Sequence, residues 1–65
     1  MKWTFEYEGN TLSHAFAGGT KGGYYIDIWP DWFELRLDGD SVGKYDRLEK
    51  AIDAADRFDK LVEKE

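Results

Sequence analysis

The sequence predicts an α+β domain: an antiparallel meander of four to five β-strands followed by one C-terminal amphipathic α-helix packed on one sheet face. Three observations predict it. Between residues 2 and 37, apolar and polar side chains alternate in short runs, the period of two expected of half-buried strands. The runs are separated by turn-forming pairs such as Gly9-Asn10 and Pro30-Asp31, short enough to join antiparallel neighbours. From Asp46 onward the apolar residues change to the three-and-four spacing of a helix.

Sixty-five residues suffice for one core, so 1–65 is read as a single domain. Chains of this length bury only about 60% of the surface their unfolded form exposes. Without cysteine, neither a disulfide nor a thiolate metal site is available. An aromatic content of 17% compensates, since Phe, Tyr and Trp each bury about 150–250 Å².

The first strand spans Lys2 to Glu8, with Trp3, Phe5 and Tyr7 on one face and Lys2, Thr4, Glu6 and Glu8 on the other. After the Gly9-Asn10 turn, Thr11 to Ala17 alternates with Leu12, His14 and Phe16 on one side, which makes a hairpin with the first strand. Gly18 to Gly23 is expected to be flexible, being too glycine-rich to hold one conformation by itself. Tyr24 to Trp29 and Trp32 to Leu37 form the next hairpin around Pro30-Asp31, where proline suits the first central position of a type I turn. Asp38 to Ser41 reads as a turn, and Val42 to Tyr45 as a short fifth strand or an extended lead-in to the helix. Asp46 and Glu49 have capping-box spacing, and Leu48, Ala51, Ile52, Ala55, Phe58 and Val62 form the apolar stripe. That stripe is expected to pack on the sheet face carrying Trp3, Phe5, Tyr7, Ile26, Ile28, Phe33, Leu35 and Leu37.

The residues supply no catalytic constellation, cofactor motif or metal site. His14 is the single histidine; alternation points Ser13 to the opposite face, which separates nucleophile from base and leaves His14 at the edge of the core. Gly18 to Gly23 lacks the phosphate-loop spacing and leads into a strand. Asp38-Gly39-Asp40 lacks the ligand spacing of a calcium loop and is explained by turn chemistry. No segment has the length of a membrane span or the pattern of a leader. The net charge of −5 (9 Lys+Arg against 14 Asp+Glu) disfavours phosphate backbones and anionic membranes as direct partners.

Two surfaces stand out. If Pro30-Asp31 is a two-residue turn, Trp29 faces Trp32, Asp27 faces Glu34 and Tyr25 faces Arg36. The face away from the core then carries Tyr25, Trp29 and Trp32, an exposed aromatic patch of the kind that marks interaction sites. The same face sets Asp27 against Glu34, like charges that destabilise a strand pair unless a cation from a partner lies between them. A purely structural account has the two tryptophans stapling the turn and Tyr25 stacking on Arg36. The second surface is the helix face carrying Asp46, Glu49, Asp53, Asp56 and Glu63, nearly opposite the apolar stripe and interrupted by Lys60.

The stretch from Trp32 to Ala51 (WFELRLDGDSVGKYDRLEKA) resembles the strand, turn, Val-Gly and helix ending common in small phage-type domains. In length, acidity, lack of cysteine and overall plan the chain resembles the small inhibitors of phages and mobile elements, including anti-CRISPR proteins. The resemblance implies a non-enzymatic inhibitor in the cytoplasm of a bacterial host. Such an inhibitor imitates nucleic acid in the basic groove of a host defence protein, for instance a CRISPR-Cas effector subunit. Asp46, Glu49, Asp53, Asp56, Glu63, Asp27 and Glu34 would stand in for phosphates, with Tyr25, Trp29 and Trp32 as anchors. A self-associating or base-stacking module using the aromatic face is the alternative, and the chain is expected to be a monomer or weak homodimer.

Overall fold

A computed structural model describes residues 1–60 as five strands and one helix: β1 (Thr4–Glu8), β2 (Thr11–Gly18), β3 (Gly23–Ile28), β4 (Phe33–Leu37), β5 (Asp40–Tyr45) and α1 (Leu48–Lys60). The strands form one antiparallel sheet in the order β1-β2-β3-β4-β5. The chain is therefore the α+β meander with a C-terminal helix that its patterning predicts. The β3–β4 register is the one obtained by counting from Pro30-Asp31, with Ile28 on Phe33, Asp27 on Glu34, Ile26 on Leu35 and Tyr25 on Arg36. The Trp29 N–H donates to the Trp32 carbonyl at 2.9 Å and closes that turn.

The fifth strand is longer than the sequence reading allowed. Asp38 and Gly39 alone make the turn, with φ of 51° and 94°. Positive φ at both central residues gives the mirror-type hairpin turn whose twist matches the strands, and Asp-Gly is the pair that favours it. Asp40 and Ser41 are thereby released into β5.

The core lies between one sheet face and the helix. Ala15, Tyr24, Ile26 and Leu35 are buried against Ala51 and Ala55, with Trp3, Ile28, Phe33, Leu37, Tyr45, Leu48, Ile52 and Phe58 packed around them. The expected apolar stripe is thus the buried one over the described residues; Val62 lies outside them. Ala51 and Ala55 carry only methyl groups, which lets the helix approach the sheet closely. The helix lies over β4 and β5.

This off-centre placement corrects the expectation for the first strand. Phe5 and Tyr7 sit on the helix side of the sheet, yet the helix does not reach them and both are exposed. The second strand also departs from simple alternation. A bulge lets Glu6 pair with His14 and Tyr7 with Leu12, so Ser13 is an extra residue in β2. Ala15 and Ala17 face the core, whereas His14 and Phe16 lie on the opposite face.

Candidate functional site

The face of the sheet turned away from the helix is built in three rows by the strand register. One row runs Thr4, Phe16, Tyr25, Arg36, and the next runs Glu6, His14, Asp27, Glu34, Lys44. Trp29 and Trp32 close the third, at the Pro30-Asp31 end. Of the ten residues expected to bind a partner, the fold brings Tyr25, Asp27, Trp29, Trp32 and Glu34 together here.

The aromatic side chains form two stacked groups. The His14 imidazole lies 5.0 Å from the Tyr25 ring at 14° and 5.9 Å from the Phe16 ring at 27°. The two indoles stack at 5.7 Å, and Lys44 Nζ sits 4.9 Å above Trp32. Phe16, Tyr25 and Trp29 remain exposed. The tryptophan staple is as expected, but Tyr25 stacks on His14 and not on Arg36. His14 and Phe16 went unrecognised as part of this surface, because strict alternation across the bulge assigns them to the core side.

Between the aromatic groups lies a polar cluster that supplies its own cation. Arg36 Nε donates to Asp27 Oδ2 at 2.9 Å, and Arg36 lies 3.5 Å from Glu34 Oε1. The like-charge pair is therefore bridged from within the chain, and no cation from a partner is required. Arg36 sits two residues along from Glu34 on the same face, within reach of both carboxylates; the opposed-pair count alone does not show that diagonal. Glu34 is buried, and the Ser41 hydroxyl, Arg36, Lys44 and Trp29 together hold it below the usual carboxylate range against the cost of burial.

The bulge also brings together two groups that alternation separates. Ser13 Oγ lies 3.2 Å from His14 Nδ1. The contact is between adjacent residues on an open surface, with the imidazole held between aromatic rings. Among the described residues, no cluster of three or more His, Asp or Glu side chains has the arrangement of a metal site, and no helix is long and apolar enough to cross a membrane.

The helix acids are placed differently. Asp46 pairs with Lys50 at 3.1 Å and Asp53 with Arg57 at 3.0 Å, both four residues apart, and Glu49 lies 3.9 Å from Arg47. Three of the carboxylates thus have a cation within 4 Å, and Lys50 holds Asp46 below its ordinary pKa. The Asp46 carboxylate goes to Lys50, while the Arg47 carbonyl accepts the first helical N–H groups, so the expected capping box is replaced by an ion pair. Asp56 is half-buried and Glu63 lies outside the described residues.

Asp59, which the sequence reading did not single out, has the most structured environment of the helix acids. Its carboxylate accepts the backbone N–H groups of Thr20 at 3.1 Å and Lys21 at 3.0 Å and the Tyr24 hydroxyl at 3.2 Å. The Lys21 and Thr20 amides lower its pKa to about 2, while burial and Asp59 push Tyr24 up to about 12. The glycine-rich connection, expected to be flexible, is a four-residue loop closed by Gly19 N–H on the Gly22 carbonyl and anchored by this helix residue.

A shallow cleft of about 270 Å³ lies between β5 and α1, lined by Leu35, Val42, Tyr45, Ala54, Arg57 and Phe58. No protein-family model matches the chain, and neither a curated protein nor a solved structure matches it.

Proposed function

We propose that this chain is a non-enzymatic protein-interaction domain that binds its partner through the outer face of its sheet. The observation that carries the reading is the exposure of Phe16, Tyr25 and Trp29 around a pair of carboxylates that Arg36 already bridges. A partner covering this face desolvates aromatic surface, which is favourable, and finds Asp27 and Glu34 already bridged by Arg36, which lowers the cost of covering them. Stacking fixes the His14, Tyr25, Trp29 and Trp32 rings before binding, so little side-chain entropy is lost. The partner suited to it offers an apolar surface with a polar rim. Capture from a bacterial lysate with the tagged chain tests the reading: a specific protein should be retained by the wild type and lost with Tyr25→Ala/Trp29→Ala. Equal retention by that variant would sink it.

A second reading is an acidic inhibitor that imitates nucleic acid in the basic groove of a host defence protein, of the CRISPR-Cas type. It draws support from the net charge of −5 and from the exposure of Asp46, Glu49 and Asp53. Exposed pairs four residues apart contribute little, so Arg and Lys of a partner can replace Lys50 and Arg57 readily. Under this reading Asp53→Lys/Asp56→Lys releases the captured protein, and raised salt elutes it.

A further inference from the structure

We propose that the free edge of β1 pairs antiparallel with β1 of a second copy of this chain, joining two sheets into one and leaving the outer face accessible. The two edges of the sheet are unlike. β5 is bulged opposite Leu35 and Arg36, contains Gly43 and Lys44, and leads into the helix that packs over it. Bulges, lysines and covering elements are the devices that keep an edge from pairing. Among the described residues β1 has neither a bulge of its own, nor a lysine, nor a covering element, and its charges are the two glutamates Glu6 and Glu8. The extra residue of its hairpin lies in β2, so Thr4–Glu8 presents a regular strand without Pro, Gly or Lys, and all five of its residues are exposed.

The side chains on that edge fit a second copy. Phe5 is 41% and Tyr7 62% exposed on the helix side of the sheet, beyond the area the helix covers. A two-fold axis through Phe5 sets Phe5 against Phe5, Trp3 against Tyr7, Thr4 against Glu6 and Lys2 against Glu8. The aromatic residues then meet on one face, and two opposite-charge pairs close the ends of the other. Both kinds of cross-strand pair are favourable. Moving the axis to Glu6 faces Glu6 with itself and leaves Lys2 without its acid, so charge selects the Phe5-centred register.

Sedimentation equilibrium of the full chain from micromolar to millimolar concentration tests this. The mass should rise from 7.6 kDa toward twice that value. Lys2→Glu and Glu8→Lys should each weaken the dimer about tenfold, because each converts two attractive pairs into repulsive ones. Carrying both changes in one chain restores opposite charges and should restore the dimer. Phe5→Lys should leave only monomer, with circular dichroism confirming that the fold persists at this exposed position. A chain that stays monomeric at millimolar concentration overturns the proposal, as does a dimer indifferent to Phe5→Lys. Failure of the double charge exchange to recover association overturns the register.

Discussion

Asp59 Oδ1 accepts the backbone N–H of Lys21 at 3.0 Å, tying the last turn of the helix to the tip of the β2–β3 hairpin. The contact adds a long-range anchor to a loop whose own closure is the Gly19 N–H to Gly22 carbonyl hydrogen bond. Asp59→Asn should lower the melting temperature by several degrees and accelerate amide exchange at Thr20 and Lys21, while amides of β4 stay protected. Hydrogen exchange followed by NMR checks this; unchanged exchange at both amides would contradict it.

Asp59 and its hydrogen-bond donor Tyr24 both contribute to the pH dependence of stability. The folded state lowers the pKa of Asp59 from 3.8 to about 2, so its contribution is complete above pH 4 and is lost as pH falls through 2. Tyr24 moves the other way, from 10.0 to about 12, so its contribution is complete below pH 10 and is lost as pH rises through 12. Melting curves across pH should show both limbs, and Asp59→Asn should flatten the acid one.

Gly22 has a φ of 146°, and a Cβ there would collide with the Asp38 carboxylate, which accepts the Gly23 N–H at 2.9 Å. Gly22→Ala should cost about 1–3 kcal/mol. Gly18→Ala, with ordinary φ and open space around its Cβ, should be neutral or slightly stabilising. Denaturant titration separates the two.

Arg36 is the cation between Asp27 and the buried Glu34. Arg36→Met should lower the melting temperature and raise the pKa of Glu34 in an NMR titration, with Glu34→Gln in the same chain recovering part of the loss. An unshifted Glu34 would mean that Ser41 and Lys44 suffice.

Much of this architecture is legible in the sequence, and the failures have local causes. Pro30-Asp31 fixes the β3–β4 register because a two-residue turn admits one pairing, and period-two alternation then sorts Ile26 and Leu35 from Tyr25 and Arg36. Alternation fails at Ser13, since a bulge inserts a residue with no compositional mark and reverses the side on which His14 and Phe16 emerge. The exposure of Phe5 and Tyr7 follows from where the helix lies across the sheet, which periodicity does not encode. Asp59 was hidden for a similar reason: on a helical wheel it is one acid among several, and only the long-range fold brings it to the loop. Helical spacing likewise does not show that Lys50 and Arg57 reach the carboxylates of Asp46 and Asp53.

The central claim is that the sheet face, and not the helix face, binds. The most direct test is the affinity of the captured protein for two variants, Tyr25→Ala/Trp29→Ala and Asp53→Lys/Asp56→Lys, measured at low and high salt. Loss of two aromatic anchors that the partner covers is predicted to weaken binding by about thirtyfold or more, with helix charge reversal and salt having small effects. A steep loss with the helix variant and with salt, at unchanged affinity of the aromatic variant, would contradict the account and favour the nucleic-acid mimic.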